Sequence, residues 1–221
     1  MPTRSPSHQG FTLFELLVVL SIMAILALIS VPIISSIAAA KNLDGGINDL
    51  VGMIERARSE AVTRQTYVWL GIAPVQTSSG TMQVDVAMVC SKDGTGTNTA
   101  ASNLTNLTKV VHLTNLSLTD WGGLKQSTKD LFTTATPASF STNATGITFT
   151  AGQTSFTGKT VTFTPQGEVM LKGAAKGDDG FDSWIDISIR QAHGTYVATT
   201  ADDAAVLIQG STGTVQVVRL H

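Results

Sequence analysis

A long apolar run near the N-terminus constrains this chain more than any other feature. Residues 16–40 contain no charged side chain, and Glu15 stands directly before them. Because about 20 apolar residues suffice for one helical crossing of a bilayer, the run predicts a transmembrane helix. An ionised carboxylate at membrane depth costs about 3 kcal/mol, so Glu15 needs a cationic partner. Cleavage after Gly10 would create one, the new α-amine of Phe11 on a neighbouring copy.

Two other interpretations of this N-terminus stay open. Residues 1–10 could be the first region of an ordinary secretory signal, with the small residues 38–40 as its cleavage site. The apolar region of such signals is about 7–15 residues long, however, and this run is longer. The chain could also carry an unprocessed single-span anchor, but an anchor does not require a glutamate at its start.

Four residues at fixed spacing connect this N-terminus to a known family. Gly10, Phe11, Glu15 and Pro32 resemble, in register, the conserved start of type IV pilins and pseudopilins. The resemblance implies that a prepilin peptidase cleaves after Gly10 and methylates the amine of Phe11. It also implies that Glu15 and Pro32 act in assembly of the helix into a filament. The implied partners are the peptidase, other pilins or pseudopilins and an inner-membrane assembly platform.

The same resemblance implies a single-pass protein of a bacterial inner membrane, with a cytoplasmic N-terminus and a periplasmic C-terminal domain. Arg4 in the short leader agrees with this orientation, because cytoplasmic segments are enriched in Lys and Arg. The predicted parts are a leader (1–10), a transmembrane and assembly helix (11–40), an amphipathic continuation of that helix (41–65) and a β-rich periplasmic domain (66–221).

Helical periodicity continues beyond the apolar run. Residues with mostly apolar side chains recur at helical spacing at Ile47, Leu50, Val51, Ile54, Ala57, Arg58 and Ala61. Glu55, Arg56, Ser59 and Glu60 fall mostly on the other side, which predicts an amphipathic helix packed on a sheet. Residues 44–46 include two consecutive glycines, and glycine costs about 1 kcal/mol in a helix interior. A kink or break is therefore predicted there, and Pro32 removes one further backbone donor.

After residue 65 the apolar pattern alternates with period two, which is typical of strands. The predicted strands are 67–70, 82–89, 110–118, 147–150, 160–164, 169–172, 184–190, 205–208 and 215–220. A long helix followed by such strands predicts an α+β fold of the pilin type, in which an antiparallel sheet covers the helix. Residues 91–108 and 126–146 are rich in Ser, Thr, Asn and Gly, and are predicted to be long surface loops.

Three further segments narrow the resemblance. Residues 55–64 resemble the "ARSEA" helix end of the GspH/FimT group, and residues 163–167 resemble its phenylalanine–x–proline–x–glycine turn. Residues 210–217 are similar to its final glycine-led hairpin. The group contains minor pseudopilins of type II secretion systems, which is the predicted function, and FimT-like minor pilins of type IV pili, which are the alternative. A third hypothesis is an anchored periplasmic domain whose long loops bind a ligand.

Composition argues against nucleic acid as a partner and against a disulfide within the chain. The formal net charge is −2 and only 14% of residues are charged, so no strongly basic surface for nucleic acid is expected. Arg190 and Arg219 are candidate DNA contacts, because some FimT-like pilins resemble DNA receptors that use basic C-terminal residues. DNA affinity depends on the number of phosphates that cations neutralise, and this domain has few clustered cations, so weak or no DNA binding is expected. Cys90 is the only cysteine, so no intramolecular disulfide can form. Because many major pilins contain a disulfide, this favours a pseudopilin or minor pilin.

No catalytic or metal site is predicted. Asp178, Asp179 and Asp182, with Asp186 nearby, form the only acidic cluster of the sequence. A solvated turn is favoured there over a calcium site, because the regular ligand spacing is missing. The four histidines, His8, His112, His193 and His221, are too scattered for zinc. Nucleophile, phosphate-loop and zinc-protease motifs are absent from the sequence. The protein is therefore expected to have no enzymatic activity and no cofactor.

Overall fold

The computed structural model describes residues 13–144, 146–171, 183–198 and 201–220, with the backbone alone for residues 26–42 and 143. The chain divides into two units, Met1–Ala39 and Ala40–His221. The described elements are α1 (Leu13–Arg64), β1 (Val68–Gln76), β2 (Met82–Ser91), β3 (Leu104–Asn106), β4 (Val111–Thr114), β5 (Leu116–Thr119), α2 (Gln126–Lys129), β6 (Ala138–Ser139), α3 (Phe140–Asn143), β7 (Thr148–Ala151), β8 (Thr154–Thr157), β9 (Thr160–Phe163), β10 (Val169–Met170), β11 (Trp184–Gln191), β12 (Asp203–Gln209) and β13 (Val215–Arg219). One long helix followed by largely antiparallel strands, with two short helices among them, confirms the α+β class.

The part of α1 that belongs to the second unit is amphipathic. Its buried side chains recur every three or four residues, largely as predicted, at Leu43, Ile47, Leu50, Ile54, Ala57 and Ala61. Glu55, Arg56 and Ser59 are exposed on the other side. This spacing places one continuous apolar stripe of the helix against the strands, which is the arrangement that a helix packed on a sheet requires.

The break predicted as one possibility at residues 44–46 is wrong, because α1 is helical through this stretch, and the kink predicted as the other stays a prediction. Gly46 is buried, and a Cβ at this position would overlap the side chain of Leu116 and touch that of Leu113. The glycine therefore allows the helix to approach β4 and β5 closely. Packing at this point offsets the roughly 1 kcal/mol by which glycine disfavours a helix interior.

The buried stripe of α1 packs against the inner faces of two sheets. The first sheet has the order β10-β9-β1-β2-β3, with β4 also paired to β2, and all of its pairs are antiparallel. The second sheet has the order β13-β12-β11-β5, with β6 added in parallel to β11. Alternate residues of β1 and β11, including Leu70 and Ile187, enter the same core as Leu50 and Ile54 of the helix.

The strand predicted over residues 110–118 is two strands that belong to different sheets. β4 pairs with β2 in the first sheet, where Leu113 lies opposite Val84. β5 pairs with β11 in the second sheet, where Leu118 lies opposite Ile189. Between them Asn115 has a φ of 58°, a left-handed conformation that asparagine adopts more readily than most residues. The chain thus changes sheet at a single residue.

A hairpin covers the outer face of the first sheet. β7 and β8 bring Phe149 and Phe156 into a stack with ring centroids 4.8 Å apart, and both rings are buried. They lie over Gly71 of β1, where a Cβ would come within 2.7 Å of each ring. Trp69 and Val89 belong to the same apolar cluster. The hairpin therefore forms an outer layer of the domain, and β8 was missed because its Thr and Ser residues mask the alternation.

The outer face of the second sheet is covered by a segment that was predicted to be a surface loop. Phe132 is buried, and its ring makes edge contacts with Trp121 and Trp184 at centroid distances of 6.1 Å and 5.2 Å. Leu124 belongs to the same cluster. The prediction for residues 126–146 is therefore wrong, since this stretch contains α2, β6, α3 and core side chains. Its apolar residues are too irregularly spaced among Ser and Thr to give a periodic signal.

Residues 91–108, the other predicted loop, are partly a strand, because β3 pairs with the end of β2. The turn that precedes β3 is organised by Asp93. Its carboxylate accepts hydrogen bonds from the backbone N–H of Thr95 at 2.9 Å, the hydroxyl of Ser91 at 2.7 Å and the amide of Asn98 at 2.8 Å. These bonds, that from the Thr95 N–H foremost, hold the pKa of Asp93 well below its usual range.

Candidate functional site

The first described turns of α1 expose an apolar surface. Every side chain from residue 13 to 25 is exposed, and Leu13 and Phe14 keep 83% and 75% of their surface accessible. Removing apolar surface from water is worth roughly 25 cal/mol per Å². A helix that is apolar around its circumference is stable only when other apolar groups cover it. This surface is therefore a candidate site of assembly.

Glu15 is the one charged residue of that surface. It lies in the first described turn of α1, where the helix dipole favours a carboxylate, and its side chain is exposed. Gly10 and Phe11 lie outside the described residues, and Pro32 lies in α1 where the backbone alone is described. The roles assigned to these four residues in processing and assembly stay predictions.

Within the part of the chain that the structure describes, no helix is long and apolar enough to cross a membrane.

The three motifs of the GspH/FimT resemblance, distant in sequence, meet at the end of α1. The side chain of Arg58 lies across two turns, at Gly167 and at Gly213. A Cβ at Gly213 would come within 2.6 Å of Arg58 Cδ, and one at Gly167 would come within 3.4 Å of Arg58 Nε. The φ angle is +84° at Gly167 and +67° at Gly213, and residues with a side chain disfavour this region. Both turns are therefore shaped around the same arginine.

Backbone hydrogen bonds fix each of these turns. In the first, the N–H of Gly167 donates to the carbonyl of Thr164 at 2.8 Å, and the N–H of Thr164 donates to the carbonyl of Glu168 at 2.9 Å. In the second, the N–H of Gly213 donates to the carbonyl of Gln209 at 2.7 Å. The sequence identified the motifs singly, but their contact is tertiary and gave no sequence signal.

An open groove of about 530 Å³ runs beside Arg58. One wall is the last part of α1, with Arg58, Ser59 and Val62, and the other is the turn before β13, with Gly213 and Thr214. Arg58 and Val62 are both exposed residues. The groove therefore offers a cation, hydroxyl groups and a small apolar contact to a partner from outside the domain.

The two arginines considered for DNA contacts are engaged within the domain. Arg219 forms an ion pair with Asp44 of α1, and its side chain is only 12% exposed. Arg190 donates to the carbonyl of Gly123 and lies 3.8 Å from a carboxylate oxygen of Asp203. Each guanidinium thus connects two distant segments of the domain.

Asp186, which stands near the acidic cluster in the sequence, does not lie on a solvated turn but in the strand predicted over residues 184–190. It is fully buried in β11, where the hydroxyl of Ser188 donates to its Oδ2 at 2.5 Å. Burial raises the pKa of Asp186 to about 6, and the Ser188 hydrogen bond opposes that shift. Asp178, Asp179 and Asp182 lie outside the described residues.

A second buried carboxylate, which the sequence analysis missed, joins three strands. Asp85 of β2 accepts hydrogen bonds from Thr154 of β8 at 2.6 Å and from Gln83 at 2.7 Å, and its Oδ1 lies 2.6 Å from Nδ1 of His112 in β4. The carboxylate is almost completely buried, whereas the His112 ring is about half exposed. This cluster ties the outer hairpin to the first sheet.

The described residues contain no group of three or more His, Cys, Asp or Glu side chains that could hold a metal ion. His193 is part of a backbone bridge with Tyr196, and His8 and His221 lie outside the described residues. Cys90 is buried, and this burial raises the pKa of its thiol.

Comparison with known proteins identifies a sequence motif near the N-terminus. Residues 5–31 match the family described as the prokaryotic N-terminal methylation motif. No curated protein and no solved structure matches the chain. The motif implies processing by a prepilin peptidase, a membrane anchor and assembly with other pilins. Residues 5–31 thus carry the N-terminal signature of type IV pilins and pseudopilins.

Proposed function

We propose that this protein is a minor pseudopilin of a type II secretion system, of the GspH/FimT kind. The observation that carries the proposal is the methylation motif at residues 5–31 combined with the exposed apolar surface of the first turns of α1. The prepilin peptidase hydrolyses the peptide bond after Gly10 and transfers a methyl group to the amine of Phe11. The mature chain is a structural component of a filament and has no enzymatic role.

Before assembly, the mature chain is held in the inner membrane by its single apolar helix, with the β-rich domain in the periplasm. In the filament, helices of neighbouring subunits replace lipid around the apolar surface. Glu15 then pairs with the methylated amine of Phe11 on an adjacent subunit. A buried ion pair contributes more reliably to register than to net stability, so its main effect is to fix the axial position of each subunit.

The ion pairs of two C-terminal arginines support a role in secretion over a role in DNA uptake. Arg190 and Arg219, the C-terminal cations that a DNA receptor would present, form ion pairs with Asp203 and Asp44. DNA affinity increases with the number of phosphates that free cations neutralise, so a domain whose C-terminal arginines are occupied is poorly suited to bind DNA. The N-terminal motif itself is equally compatible with a FimT-like minor pilin of a type IV pilus, which is the alternative.

The test is the profile of secreted proteins in a strain that lacks this gene, compared with its parent and with the complemented strain. A secretion pseudopilin predicts that exported proteins disappear from the medium and accumulate in the periplasm, and that the intact gene restores export. An unchanged profile together with lost twitching or DNA uptake would instead support the minor pilin.

A further inference from the structure

We propose that the groove beside Arg58 binds a carboxylate side chain of a neighbouring subunit in the filament. This inference rests on the proposed function, because it requires assembly with other pilin-like subunits, and it adds a contact made by the globular domain to those made by the N-terminal helix.

The first argument is that Arg58 is held in place before any partner binds. Its Cδ lies over Gly213 and its Nε lies near Gly167, two turn residues whose positive φ and missing Cβ make room for the side chain. Fixing an arginine side chain costs rotamer entropy, and a residue that is already ordered loses less of it on binding. The planar guanidinium also suits a carboxylate, with which it can make two parallel hydrogen bonds.

The second argument is the pairing of the other arginines. Among the described residues, four arginines form ion pairs: Arg56 and Arg64 with Glu60, Arg190 with Asp203, and Arg219 with Asp44. Arg58 makes no ion pair with any described carboxylate. Glu55 lines the same groove from the preceding turn of α1, and it does not pair with Arg58 either. Arg58, which packs against the two glycine turns, is thus available to an outside anion.

The surroundings favour a protein partner. Val62, in the groove wall, is 40% exposed, and β13 begins in the groove at Val215 and then exposes 43% of Val217. An arginine next to partly exposed apolar side chains is typical of protein interfaces, where Arg is enriched. The hydroxyl groups of Ser59 and Thr214 line the same space and can accept or donate further hydrogen bonds.

The experiment uses the full-length protein in its own cells, with a photo-crosslinking phenylalanine analogue in place of Thr63, an exposed residue in the groove wall. Crosslinked peptides are identified by mass spectrometry, and the crosslink yield is compared in three backgrounds. Arg58→Gln removes the proposed contact, and Arg56→Gln, which removes the same charge from a neighbouring exposed position, is the matched control. Glu55→Gln removes the negative charge that a partner carboxylate would have to approach.

The expected product joins the groove to a peptide of another pilin-like subunit that contains Asp or Glu. We expect Arg58→Gln to lower its yield about tenfold, the effect of losing one charge pair at an interface, Arg56→Gln to leave it unchanged and Glu55→Gln to raise it. A yield that is insensitive to Arg58→Gln, or a crosslinked peptide without an acidic residue, would overturn the inference.

Two controls keep this result interpretable. If Arg58→Gln proves sensitive to protease and therefore misfolded, Arg58→Lys replaces it, and the inference then requires that Lys retain part of the yield and that a partner Asp or Glu changed to Arg abolish it. The mass of the N-terminus and the assembled fraction are measured in the same samples. An unprocessed, unassembled chain contradicts the proposed function, whereas a processed and assembled chain with an Arg58-independent crosslink contradicts this inference alone.

Discussion

The described apolar side chains of helix α1 are exposed in the first unit of the chain and mostly buried in the second. In the first unit, residues such as Phe14 and Ile22 are exposed, and the described part of the unit has nothing of its own to cover them. In the second unit, residues such as Leu50 and Ile54 are fully buried against two sheets. One helix thus contains a segment that depends on external partners and a segment that is stable within its own domain. Substitutions in the two segments should have different effects.

The largest expected effect is on assembly. Glu15→Ala should remove the protein from the assembled fraction while leader removal continues, because the carboxylate is proposed to pair with the amine of a neighbouring subunit and lies beyond the cleavage site. The measurements are the mass of the mature N-terminus and the amount of protein in sheared filaments. Glu15→Gln, which keeps the size of the side chain, separates charge from shape. Normal assembly of either variant would remove Glu15 from the mechanism.

The next effect is on stability and distinguishes the two segments directly. Ile54→Ala should lower the free energy of unfolding by about 2–5 kcal/mol, because it leaves a cavity under both sheets. Ile22→Ala, the same change at a position that is 51% exposed, should alter it by about 0.5 kcal/mol or less. Denaturant unfolding of the full chain in detergent can be followed by tryptophan fluorescence, since Trp69, Trp121 and Trp184 all lie in the second unit. Equal losses for the two variants would contradict the comparison.

A smaller effect is expected at the adjacent glycines of α1. Gly46→Ala should destabilise the domain by about 1–3 kcal/mol, because the new methyl group overlaps the fully buried side chain of Leu116. Gly45→Ala should stabilise it by about 0.5–1 kcal/mol, because nothing lies near its Cβ and alanine favours the helix. The same unfolding assay measures both changes. If both variants behave alike, the close approach of the helix to β5 is not what selects glycine.

The smallest effect concerns pH and the second sheet. The pKa of Asp186 is raised to about 6 in the folded protein, from an unfolded value near 3.8, so the folded state binds a proton more tightly than the unfolded state. Its burial therefore costs stability above pH 6, and this cost is relieved as the pH falls through 6 towards 4. Between pH 7 and 5 the wild-type protein should gain about 1 kcal/mol relative to Asp186→Asn. Parallel stability profiles of the two proteins between these pH values would contradict the assignment.

Much of the fold could be predicted from the sequence because its signals are local. The spacing of Ile47, Leu50, Ile54 and Ala57 indicated the buried stripe of α1, and alternation located the longer strands of both sheets but not β3 or β6. The N-terminal spacing from Gly10 to Pro32 indicated the family, and the match over residues 5–31 supports it.

The remaining features depend on contacts between residues far apart in sequence. The change of sheet at Asn115, the burial of Phe132 under a Ser- and Thr-rich segment and the continuity of the helix at Gly46 are each determined by what packs against them. Asp186 fell inside the predicted strand 184–190, but nothing local indicated that its carboxylate would be fully buried rather than solvated with its acidic sequence neighbours. The site at Arg58 was found only in part, since its three motifs were recognised but their meeting required the tertiary structure.

The change of sheet at Asn115 has a consequence for synthesis and export. β5 is made long before β11, the strand with which it pairs, and β7–β10 then return to the first sheet or its outer face. The two sheets are therefore interleaved along the chain, and no single cut separates them. A ribosome or translocation channel releases the chain from its N-terminus, so the buried stripe of α1 stays without its full cover until residues near 219 emerge. Premature termination anywhere before β11 should give a chain that cannot close its core and is an early target for proteases.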